Sequence, residues 1–136
     1  MITKEQVKQA ITDNEYFAKI DDDGDLTFKY GSTTYVVTLD EGEDDDPVYL
    51  TMYGVWALDG SNITDCKVWA SDTTQKIKGA KIAISEMGDS LIMIASLELF
   101  LPNTMDTSEI AKIHERGIIS LQGAADDFME KNSEKG

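Results

Sequence analysis

Two short runs of alternating residues limit most sharply what this chain can fold into. Leu26, Phe28 and Tyr30 alternate with Thr27 and Lys29, and beyond Gly31-Ser32 the residues Tyr35, Val37 and Leu39 alternate with Thr34, Val36 and Thr38. A two-residue period places successive side chains on opposite faces, which is the pattern of a strand with one buried side. Glycines stand where tight turns need them, Gly24 within Asp21–Asp25 and Gly31 between the two runs. An antiparallel meander follows from this, with Phe17–Ile20 as a strand before it. After an acidic loop, Asp40–Pro47, residues Val48–Val55 read as a fourth strand, its far end weakened by Gly54.

Helical periodicity brackets the meander. Thr3 is placed to cap a first helix with Gln6 reaching back, Ile2 stapling onto Val7, and Val7, Ala10 and Ile11 forming one apolar face. Thr64 is the expected cap of a second helix, with Ile63 and Val68 as its staple and Cys66, Ala70, Thr73 and Ile77 as a thin inward stripe. Ala80–Ser85 and Leu91–Leu101 then read as a hairpin around Met87-Gly88-Asp89-Ser90. Its second strand is apolar on both faces, so it is either covered twice or completed by a partner. Pro102-Asn103 ends it, and Asp106 with Glu109 opens a final amphipathic helix carrying Ile110, Ile113, Ile118, Leu121, Ala125 and Phe128. Gly117 and Gly123 within that helix suggest a bend or a close approach. The order α-β-β-β-β-α-β-β-α makes an α+β fold. The expectation is one domain over residues 1–136, without repeats or linkers and with 131–136 frayed.

Charge narrows the partners. The 136 residues carry 12 basic and 26 acidic groups, a net charge of −14, and Arg116 is the only arginine. Nucleic-acid binding draws on clustered cations that displace counterions and on guanidinium forks that read bases, so that class is excluded. Anionic membrane surfaces are disfavoured for the same reason. A lone cysteine, Cys66, precludes an internal disulfide and fits a reducing compartment. The first residues lack the apolar core of a signal peptide, and no run approaches the ~20 apolar residues of a membrane span, so a cytoplasmic location is expected.

Residues 21–46 hold ten carboxylates against one lysine. In an up-and-down meander their two turns fall at the same sheet end, about 10 Å apart. Asp21, Asp23, Asp25, Asp44 and Asp46 are weak candidates for a divalent cation, but the EF-hand spacing fails: with Gly24 at loop position six, position one is Lys19. Solvated turns are the plainer reading. Catalysis is poorly supplied. His114 is the single histidine, Cys66 and His114 lack any local nucleophile signature, and no glycine-rich phosphate loop occurs. Neither enzyme chemistry nor a cofactor is expected. A binding role suits the aromatic content better, with Tyr49, Tyr53, Trp56, Trp69 and Phe100 as candidate partner-binding residues, because such side chains gain contact area at low entropic cost. The alternative is a small-ligand or cation sensor.

One further pattern is a resemblance. The run Asp23–Tyr30, the strand Thr34–Leu39, the acidic loop and the strand from Val48 resemble the front half of the YbjN-like bacterial sensory transduction regulators. Gly79–Ile84 and the long Leu91–Leu101 strand ending at Pro102 resemble the back half. The resemblance implies a fold like that of type III secretion chaperones. It also implies a non-enzymatic adaptor or chaperone-like homodimer that holds another protein or peptide segment. The second helix is shorter and more polar, and the Asp44–Asp46 loop more acidic, than is usual in that family.

Overall fold

A computed structural model describes residues 2–40, 46–58 and 60–134. Along the chain come α1 (Lys4–Asp13), β1 (Ala18–Ile20), β2 (Leu26–Tyr30), β3 (Thr33–Asp40), β4 (Val48–Ala57), α2 (Ile63–Lys76), β5 (Ala80–Met87), β6 (Ser90–Leu101) and α3 (Thr107–Glu134). This is the expected α+β order. The strands form one six-stranded antiparallel sheet in the order β1-β2-β3-β4-β6-β5. Packing divides the residues into two compact units, Met1–Met52 with Glu98–Ile118, and Tyr53–Leu97 with Ile119–Gly136.

In the first unit the meander pairs in the register its alternation predicts, with Phe28 opposite Tyr35 and Leu26 opposite Val37. Those four side chains are buried. The Phe28 and Tyr35 rings stack at 5.4 Å, an arrangement that aromatic pairs favour beyond their simple area burial. Gly24 and Gly31 take φ of +85° and +61°, conformations that a Cβ resists and that these turns require. Val7, Ala10 and Ile11 of α1 are buried, as their spacing predicts. Thr3 does cap α1 by accepting from the Gln6 backbone. The reciprocal half of the capping box is absent, however: the Gln6 side chain donates to the Met105 carbonyl instead. A tertiary acceptor holds the Gln6 amide away from the local donor, the Thr3 N–H. Residues Asp106 and Glu109, by contrast, do make the full box, each side chain accepting from the other's backbone N–H.

Local expectations fare less well in the second unit. The N-cap of α2 is Asn62, whose side chain accepts from Asp65, so the helix starts before Thr64. Val68 is 54% exposed, which removes the predicted staple. Cys66, Ala70 and Thr73 do face inward. Strand β4 continues past Gly54 to Ala57, and Gly54 itself is buried. The hairpin turns at Met87-Gly88-Asp89-Ser90 as expected, its strands running slightly further, with Met87 paired to Ser90 and Gly88 at φ +64°. From α3, Leu121, Ala124, Ala125 and Phe128 are buried, each contributing in proportion to the apolar area it removes from water. Asp127 ties α2 to α3: it accepts from Thr73 Oγ1 at 2.7 Å and pairs with Lys76 and Lys131 at 2.8 and 3.2 Å. The helix α3 is continuous through both of its glycines and runs to Glu134.

Candidate functional site

Alternation along β4 sorts the aromatic candidates. Val48, Leu50, Met52 and Gly54 are buried, while Tyr49, Thr51 and Tyr53 are half-buried and Val55 is 49% exposed. The intervening residues face away from the core because a strand turns every second side chain over. In the first unit, Tyr49 meets Phe100 of β6, their rings 4.9 Å apart and tilted by 42°. Phe100 is nevertheless 72% exposed, the largest exposure of any bulky apolar side chain among the described residues. The Tyr49 hydroxyl donates to the Glu98 carboxylate, and that hydrogen bond raises its pKa above the ordinary value. The result is an aromatic pair with a polar anchor at one edge and an uncovered ring at the other.

The second unit places Tyr53 and Trp56 half-buried on β4, and Ile92 and Ile94 half-buried on β6, with Met87 62% exposed at the hairpin. Sequence reasoning singled out Tyr53 and Trp56; it missed Met87, whose position beside a turn glycine gave no periodic signal. Trp69 serves a different purpose from the other candidates. Its indole packs edge-on against Phe128 at 6.3 Å, on the helical side of this unit. In the first unit Phe17, 70% exposed, was likewise missed, because it lies just before a strand of only three residues.

Of the acidic candidates, Asp21 is engaged by the backbone. One Asp21 carboxylate oxygen accepts from the amides of both Asp23 and Asp25, closing the turn around Gly24. Asp23, Asp25 and Asp46 are exposed, and Asp44 lies outside the described residues. Among the described residues no group of three His, Cys, Asp or Glu side chains is placed to hold a metal.

Cys66, in the second unit, is fully buried. His114, in the first, is buried against Phe28 and Tyr16, with ring centroids at 4.7 and 5.4 Å. The Asn14 side chain fixes its tautomer. Asn14 Nδ2 lies 2.8 Å from the Ala111 carbonyl, which can only accept, so this atom is the amide nitrogen. The same nitrogen therefore donates to His114 Nδ1 at 2.9 Å, and the imidazole proton sits on Nε2. That Nε2 has no hydrogen-bond partner among the described residues. Burial pushes the His114 pKa down from 6.5 to about 4, so the ring is neutral near pH 7. It is packed as a core side chain between aromatic rings. Nearby, Tyr16 is held up at about 12 by its own burial and by Glu115.

Among the described residues no helix is long and apolar enough to cross a membrane. No protein-family profile matches the chain, and no curated protein sequence matches it. Similarity appears in three dimensions. A crystal structure of YbjN from E. coli, a proposed transcription regulator, superposes with a TM-score of 0.73 over 98% of this chain and 94% of that one, at 9% sequence identity. At that identity the agreement is one of architecture: the chain has the α+β fold of YbjN, as its strand pattern and the order of its elements led one to expect.

Proposed function

We propose that this protein is a non-enzymatic protein-binding module, a regulatory adaptor or chaperone-like holder, that works as a homodimer in the cytoplasm. The observation that carries this reading is Phe100. A phenyl ring 72% exposed beside Tyr49 leaves apolar area in water that a partner would recover. Half-buried Tyr53 and Trp56 in the second unit add amphipathic side chains of the kind enriched at interfaces. The YbjN-like fold supports a regulatory or binding role loosely, through a neighbour that is itself described as a regulator. A client would be held by apolar anchors and by backbone hydrogen bonds, two modes that need no nucleotide or metal.

Affinity capture from the native cell extract with mass spectrometry tests this, using the wild-type chain, Phe100→Ser and a charge-matched unrelated acidic protein. The expected result is a partner enriched by the wild type over the control, retained at high salt and lost with Phe100→Ser. Enrichment of nothing beyond the control would overturn the reading. Sedimentation velocity tests the dimer separately.

A further inference from the structure

The register of the meander in the first unit gathers a small basic cluster on the face turned away from the core. Leu26 and Phe28 are buried, and pair with Ile20 and Ala18 on one side and with Val37 and Tyr35 on the other. The alternate residues therefore share the opposite face. Lys19 stands opposite Thr27 and Thr27 opposite Val36, while Lys29 stands opposite Thr34. The Lys29 N–H donates to the Phe17 carbonyl at 3.2 Å, which sets Phe17 beside Lys29 in the same row. The helices of this unit pack on the inner face, where Val7, Ile11 and Ile110 line a common cavity with Val37 and Leu50.

On the outer face Phe17, Lys19, Thr27, Lys29 and Thr34 enclose a groove of about 260 Å³. That volume lies just below the usual range of small-ligand pockets, about 300–1,000 Å³. Thr27, 8% exposed, lies deepest in it, and its hydroxyl has no hydrogen-bond partner among the described residues. Lys19 and Lys29 are exposed and make no ion pair among the described residues. They hold diagonal positions on adjacent strands, about 7–8 Å apart, so one carboxylate between them can accept from both ammonium groups. Phe17, 70% exposed, supplies an apolar wall beside them. The groove lining includes no acidic residue, although residues 21–46 hold ten carboxylates against Lys29 alone. Asp25, two residues from Thr27 on the same face, comes only ~7 Å further along the strand.

We infer that this groove binds a small carboxylate carrying an apolar ring, of the arylalkanoate class. The carboxylate bridges Lys19 and Lys29 and accepts from the Thr27 hydroxyl, and the ring lies against Phe17. The site uses neither Phe100 nor Tyr49, so it goes beyond the protein-binding reading and does not depend on it.

The charge of the chain makes the test stringent. A net charge of −14 repels anions in general, so a saturable preference for an anion over its neutral twin has to come from local cations. The probes are 3-phenylpropionate and 3-phenylpropanamide, titrated into the nitrogen-15-labelled chain at neutral pH while backbone amide shifts are followed by NMR. The acid is expected to shift the amides of Phe17, Lys19, Thr27, Lys29 and Thr34 saturably, with a Kd on the order of 1 mM. The neutral amide is expected to bind roughly fivefold more weakly. Lys19→Gln and Lys29→Gln, both at exposed positions, each weaken the acid by about twofold to threefold and leave the neutral probe unchanged. Asp25→Asn removes a repelling charge and tightens the acid alone. The amide spectrum of each variant verifies its fold, and either lysine variant decides if the other does not fold. Shifts that do not saturate, shifts centred elsewhere, equal binding of the two probes, or an acid preference indifferent to both lysine variants overturns the proposal.

Discussion

Acidification should destabilise this protein through one side chain. His114 is 4% exposed, accepts from Asn14 at Nδ1 and, among the described residues, has no carboxylate in hydrogen-bond contact to stabilise a positive ring. Its pKa is about 4 in the folded chain and 6.5 when free, so below pH 6.5 the unfolded chain takes up a proton that the folded chain refuses. The sign is thus a loss of stability as pH falls from 6.5 toward 4. At pH 5 the two pKa values give about 2 kcal/mol, and below pH 4 about 3 kcal/mol. Other acidic groups change stability over the same range, so the informative quantity is a difference. Urea unfolding of the wild type and of His114→Gln is measured from pH 7.5 to pH 5. Relative to the variant, the wild type should lose about 2 kcal/mol across that window, with most of the change below pH 6. Curves that stay parallel to within about 0.5 kcal/mol would show that the ring reaches solvent or a counter-charge in the folded chain, and would refute the argument.

Two glycines should respond in opposite directions to alanine. At Gly79, φ is +85° and a Cβ would lie 3.3 Å from Leu97 Cδ1, so Gly79→Ala should cost about 1–2 kcal/mol. At Gly123, in the middle of α3, nothing lies within 4 Å of the added Cβ, and Gly123→Ala should stabilise by about 0.5–1 kcal/mol; thermal melts of both variants check the two signs. The cap of α2 is tested by alanine at each candidate: Asn62→Ala should cost about 1 kcal/mol and Thr64→Ala a small fraction of that, and equal costs would contradict the observed cap. The Cys66 thiol, fully buried, should react with a chromogenic disulfide reagent only in denaturant, whereas prompt reaction of the native chain would show an opening that the packing does not suggest.

The β-meander was legible in the residues because its signal is local. Side chains at Leu26, Phe28, Tyr35 and Val37 must share a face in any strand, and their alternation survives whatever packs on them. The inward faces of α1 and α3 could be read for the same reason, since Ile110, Ile118, Leu121 and Phe128 fall at helical spacing. Asp106 and Glu109 formed their box because each was the nearest partner available to the other. Five of the residues proposed for partner binding could be named from composition and position, yet nothing in the chain's pattern separated Trp69, which packs on Phe128, from Phe100, which faces water.

What tertiary structure decided is the set of choices between rival partners. Gln6 gave up its local partner, the Thr3 N–H, for the carbonyl of Met105, 99 residues away, and Asn14 closed on Ala111 and His114 at a similar separation. Thr74 became the cover of an edge amide only because α2 was brought beside β5. Sequence periodicity tells which way a side chain points from its own element. It carries no record of what lies opposite, and therefore cannot say whether an outward aromatic ring meets protein or solvent, or which strand is left at the edge of the sheet. Those outcomes depend on contacts between residues far apart in the chain, and here they leave Phe100 in water and β5 at one end of the sheet.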